Sequence, residues 1–140
     1  MATMNRKQLL ALHRELTGEA RELMERKNHD YSGGQSEVQP FLNFTRVESM
    51  GITSTEKGFL VRLTDKMSRL STFSQEGSFE VSDESLKDTI LDIINYSILL
   101  YAYVASKPPT ERDEAVERLR KSMFDKEGQG ITSPPLKKDK

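Results

Sequence analysis

The chain has 140 residues, enough for one domain that buries roughly 70% of its unfolded surface, and no second domain is expected. Its 21 basic and 22 acidic side chains leave a net charge of only -1, so bulk charge points to no polyanion and no direct nucleic-acid binding is expected. There is no cysteine and there are only two histidines, His13 and His29; disulfides, thiolate metal sites and a cysteine nucleophile are excluded, and a metal would be held by oxygen, as Mg²⁺ or Mn²⁺ is.

Asn5 and Gln8 signal a helix start, and Leu9, Leu12, Leu16, Ala20, Leu23 and Met24 then recur at helical spacing through about Lys27. Glu15, Glu19, Glu22 and Glu25 on this segment form a solvated face by default, with a metal ligand as the alternative. His13, beside the apolar stripe, suits a structural histidine. The pattern dissolves between Lys27 and Ser36, where Gly33 and Gly34 permit positive φ. An ordinary turn is the simplest account of that pair, but Lys27, His29, Asp30 and Tyr31 crowd a cation, a carboxylate and an aromatic ring beside it.

A short helix is expected over Gln39 to Met50, with Pro40 tolerated in its first turn, Phe41, Phe44, Val47 and Met50 on one side, and Gly51 ending it. Phe41 and Phe44 are most simply core residues. Asn43 between them offers donors and an acceptor to a base or sugar. Thr53 and Glu56 then form a T-x-x-E capping box for a helix whose apolar face carries Phe59, Leu60, Leu63, Met67 and Leu70. Arg62, Asp65, Lys66 and Arg69 make the adjoining polar face. They are either surface pairs of little energetic weight or a cationic face that answers the next helix directly or through a phosphorylated ligand.

Ser74 to Val81 is a polar connection into the longest apolar segment, Ser82 to Val104. Ser82 is a candidate N-cap, and Asp83 and Glu84 fall in the first turn, where the helix dipole favours acids. Glu84, Asp88 and Asp92 recur every four residues and Asn95 follows, so the four share one helical stripe. Leu86, Ile90, Leu91, Ile93, Ile94, Ile98, Leu99, Leu100 and Tyr101 make the second half apolar nearly all round, and burial is expected there. Carboxylates entering a core need cations or a metal opposite them. Lys107, Pro108 and Pro109 stop the segment, Thr110 with Asp113 can cap a last helix bearing Ala115, Val116, Leu119 and Met123, and a flexible tail is expected over 125–140. No signal-peptide pattern and no run long enough to span a bilayer is present, so a cytoplasmic protein is expected.

Three blocks, K-N-H-D-Y-S-G with a following N-F, then V-R-L-T-D-K-M-S-R-L, then D-E-S-L-K-D-T-I-L-D-I-I-N-Y-S-I-L, resemble the phage and bacterial nucleotide modification associated domain family. That family looks like a divergent branch of the all-α, MazG-like nucleoside triphosphate pyrophosphohydrolases, which hold magnesium with an E-x-x-E pair on one helix and an E-x-x-D pair on the next. By position, Asp88 matches the aspartate of the second pair and Asn95 an asparagine common in such helices. Ser85 stands at the glutamate position, where Glu84 or Asp92 would supply the carboxylate. Asp65 is the best match to the first pair, with Lys66 and Arg69 where further acids are usual.

The resemblance implies an all-α, MazG-like bundle of four to five helices, with residues 1–124 as one nucleotide-binding domain that forms a homodimer or higher homo-oligomer. It would cut a nucleoside triphosphate between the α and β phosphates. Asp65, Glu84, Asp88 and Asp92 would hold Mg²⁺ or Mn²⁺, with Asp65 and Asp88 central to catalysis. Lys27, Arg62, Lys66 and Arg69 would neutralise phosphate charge, and Asp30, Tyr31, Asn43, Phe44 and Asn95 would complete the substrate site. Two alternatives stand beside this one: a module that binds a nucleotide or nucleotide messenger without cutting it, and a structural bundle whose charges merely pair.

Overall fold

The computed structural model describes residues 3–32, 39–76 and 84–124, without the side chains of 29–32 and 84–85. Among the described residues the protein is an all-α bundle of five helices: α1 (Arg6–Ser32), α2 (Leu42–Ser49), α3 (Thr55–Glu76), α4 (Glu84–Ala105) and α5 (Pro109–Phe124). Gly33 and Gly34, the Ser82 cap with Asp83, and the tail over 125–140 lie outside the described residues. No helix among those described is long and apolar enough to cross a membrane.

Local chemistry explains the helix ends. The Asn5 N–H donates to Gln8 Oε1 and the Gln8 N–H to Asn5 Oδ1, both at 2.9 Å, a reciprocal cap that satisfies two otherwise orphaned donors. Past Lys27, α1 continues to Ser32 rather than dissolving, because no glycine or proline interrupts that turn. At the end of α2 the Gly51 N–H bonds Glu48 O and the Ile52 N–H bonds Val47 O, each at 2.9 Å. This is a Schellman motif, and it places Gly51 at φ 71°, where a side chain is strained. Met50 is thereby turned outward, 73% exposed, and leaves the apolar side expected for it.

The expected capping box of α3 is not formed. Ser54 is the cap, its Oγ accepting the Lys57 N–H at 3.2 Å, while Glu56 turns into the bundle. Nor does Thr110 cap the last helix: Pro109 opens α5, a position at which its missing N–H costs nothing, and Arg112 N bonds Pro108 O. The Arg112 guanidinium also covers the end of α4, donating to Lys107 O at 3.1 Å and Ala105 O at 3.4 Å.

The core lies where α2, α3 and α4 meet. Phe44 and Phe59 stack at 4.2 Å between centroids and 9° between planes, with Leu99 completing the buried cluster. Tyr96 meets Phe44 edge-on at 5.9 Å, and Phe41 meets Tyr103 edge-on at 5.5 Å, so three helices share one aromatic seam. α2 can approach α3 this closely because residue 58 is glycine: a Cβ there would stand 3.0 Å from Val47 Cγ2. α3 packs most extensively on α4, and α1 covers α4. The burial expected all round the second half of α4 is incomplete, since Ile98 and Tyr101 are exposed.

Candidate functional site

Helical periodicity on two segments builds a cleft. Asp92, Asn95, Tyr96 and Leu99 fall at i, i+3, i+4 and i+7 on α4, one side of the helix. Met24, Lys27 and Asn28 face them from the far half of α1 with the same spacing, and α2 contributes Asn43 and Phe44. These residues line a small cavity of about 30 Å³. Its lining carries a cation, a carboxylate, three carboxamides and two aromatic rings. Such a mixture can pair polar edges and cover an apolar face of a small ligand.

Asp92 is the electrostatic centre. Lys27 Nζ lies 2.9 Å from its Oδ1 and Lys66 Nζ 3.1 Å from its Oδ2, so one carboxylate joins α1, α3 and α4. Burial alone would raise the Asp92 carboxyl, but the hydrogen bonds and charges of the two ammonium groups hold it below the ordinary value. Lys66, on the polar face of α3 for which periodicity leaves both surface pairing and a direct answer to the next helix open, is buried, with Nζ also 5.9 Å from the Tyr96 ring centroid. Its long stem lies in the bundle while its charge meets Asp92, which removes the cost of an unpaired buried ammonium.

The remaining polar residues of α3 surround this centre. Arg62 stands 5.6 Å above the Phe44 ring. Asp65 is largely exposed, with Lys66 Nζ at 3.7 Å and Arg69 Nε at 3.9 Å from its Oδ2. Among the described residues, Lys27, Arg62, Lys66 and Arg69 thus gather around Asp65 and Asp92.

Asn95 completes the lining. Its Nδ2 donates to Ala20 O at 2.8 Å, tying α4 to α1, and its Oδ1 is buried without a hydrogen-bond partner.

Of the residues expected at a site, Lys27, Asn43, Phe44, Asp92 and Asn95 therefore line one cleft, with Lys66 and Arg62 in contact with its walls. Asp88 is exposed, one turn nearer the start of α4. The side chains of Asp30, Tyr31 and Glu84 lie outside the described residues. Asn28, Tyr96 and Met24 were not among the expected residues. Tyr96 adjoins Asn95 on the acidic stripe, and Asn28 would have been found by continuing the α1 periodicity one turn further.

Asp92 itself fits a divalent-metal ligand poorly. Both Asp92 oxygens face ammonium groups at salt-bridge distance, and a cation placed there would meet two like charges. Among the described residues no three His, Cys, Asp or Glu side chains converge on one point. The chain matches no family model, and neither characterised proteins nor solved structures provide a match.

Proposed function

We propose that this protein binds a nucleotide in the cleft between α1, α2 and α4, and that capture rather than cleavage is the activity of the site. The observation that carries this is the Lys27–Asp92–Lys66 bridge: one carboxylate set between two ammonium groups, with Arg62 and Arg69 nearby, is a cationic wall for phosphates. Tyr96, beside the buried Phe44, offers an aromatic surface to a base, and Asn28 and Asn43 offer hydrogen bonds to a sugar or base edge.

The pyrophosphohydrolase reading rests on the resemblance of the three sequence blocks and on Asp65, an exposed carboxylate beside the same cations. In that reading Mg²⁺ would be held by Asp65, Glu84 and Asp88 with Asp92, the last of which would have to leave its bridge to Lys27 and Lys66. Self-association is also proposed, supported by Val61 and Met67 on α3 and Ile98 and Tyr101 on α4, large apolar side chains that stand exposed. Sedimentation at micromolar concentration tests it, and a strictly monomeric mass would count against it.

Titrating the full chain with nucleoside triphosphates, with and without Mg²⁺, while assaying pyrophosphate release, tests the activity. Capture predicts saturable binding that survives chelation of Mg²⁺, with no pyrophosphate formed. Mg²⁺-dependent release of pyrophosphate would replace capture by hydrolysis.

A further inference from the structure

Building on the nucleotide reading, we infer that the cleft selects bases bearing an exocyclic amino group, as in cytosine and adenine, over those bearing an oxo group there, as in uracil and hypoxanthine. The reason is the fixed polarity of Asn95. A carboxamide can ordinarily rotate to present either its oxygen or its nitrogen. Here Nδ2 donates to Ala20 O, a carbonyl that can only accept, and the reverse orientation would set two acceptors against each other. Oδ1 is thereby locked as an acceptor, and it is buried with no hydrogen-bond partner. An acceptor in that condition disfavours the empty site until a donor reaches it.

The size of the recess decides which donor. About 30 Å³ admits one or two water-sized groups and not a ring, so the base lies across the mouth and only a protruding substituent enters. An amino group has that size and carries the N–H donor that Asn95 Oδ1 lacks. An oxo group in the same place would oppose acceptor to acceptor, and the neighbouring ring N–H, flush with the ring edge, cannot follow it in. Oδ1 is screened from solvent, so the amino group arrives with a shift of a wall side chain. Met24, unbranched and only partly buried, can make that shift without moving the backbone.

The test compares matched ligands on the unmodified full chain: CTP against UTP and ATP against ITP, titrated at equilibrium. The amino member of at least one pair should bind about tenfold tighter or better, the scale of a hydrogen-bond donor replaced by an acceptor at a buried partner. Binding of all four with equal or reversed preference overturns the inference while leaving nucleotide capture in place. Failure of all four to bind overturns both. In Asn95→Leu, with its helical circular dichroism verified, the preference should collapse while phosphate-dependent affinity persists. A preference that survives in folded Asn95→Leu removes Asn95 as its source.

Discussion

Glu56 and Arg118 join α3 to α5 by two hydrogen bonds: the fully buried carboxylate of Glu56 accepts from Arg118 Nη2 at 2.8 Å and from Nε at 3.1 Å. The paired geometry matches the guanidinium fork to both carboxylate oxygens. Removing Arg118 leaves a carboxylate that is fully buried in the folded chain without its counterion. We therefore expect Arg118→Ala to destabilise the fold by about 2–4 kcal/mol, somewhat below a fully buried pair because the guanidinium is partly exposed. Glu56→Gln, which keeps size and some hydrogen bonding, should cost less. Urea denaturation of both variants checks the order, and equal effects would mean that charge contributes little to this contact.

Two carboxylates make stability depend on acid. At Glu56, as at Asp92, burial acts to raise the pKa, but hydrogen bonds from Arg118 in one case and from Lys27 and Lys66 in the other bring it below the ordinary values of 4.5 and 3.8. A carboxyl depressed on folding contributes stability that is complete above its unfolded value and lost as pH falls through its folded value. Unfolding free energy should accordingly vary little on their account from neutral pH to about pH 5 and fall below it. Glu56→Gln should flatten part of that acid limb. An unchanged acid limb in Glu56→Gln would assign the acid sensitivity to other groups.

Asp92→Asn separates the cationic cleft from a metal centre. The substitution keeps the shape and removes the carboxylate charge, so in the capture reading nucleotide affinity without Mg²⁺ holds or rises, while the fold loses the stabilisation of its bridge. Lys66→Met acts oppositely: it should weaken nucleotide binding by about 1–3 kcal/mol and reduce its dependence on salt. Loss of binding in Asp92→Asn, restored by higher Mg²⁺, would show that the carboxylate serves a metal.

Gly51 provides a test confined to the backbone. At φ 71° an alanine is strained, and its Cβ would meet open space, so Gly51→Ala should cost about 1 kcal/mol from conformation alone. A thermal melt measures it. A neutral effect would mean that the turn after α2 relaxes.

Packing energy concentrates at Phe59, which is fully buried against Phe44 and near Tyr103. Phe59→Ala should cost about 3–5 kcal/mol, and because Phe44 also lines the cleft, affinity should fall in whatever folded fraction persists. Binding measured well below the variant's melting temperature distinguishes this from simple unfolding.

The sequence by itself determined that the chain is helical, where most of the helices run, and that one stripe of α4 is polar. Those properties are local: the spacing of Leu9 through Met24, the stripe from Asp88 to Asn95, and the reciprocal Asn5–Gln8 cap depend on neighbours within a turn or two. Pairing across the bundle was decided only by the tertiary structure. Lys27 reaches Asp92 across 65 positions, and Arg118 reaches Glu56 across 62. Glu56 shows why such partners are not legible in the chain: its spacing from Thr53 suits a capping box, yet a buried carboxylate gains more from a guanidinium held against both its oxygens than from one backbone N–H at a solvated helix end. Lys66 stands in the polar row that periodicity offered as an answer to the next helix, and the packing selects Asp92 on α4 as its partner. A helical pattern specifies which face a side chain occupies, and helix packing then decides which charges leave water together, because a charge keeps its place in a core only beside its counterion.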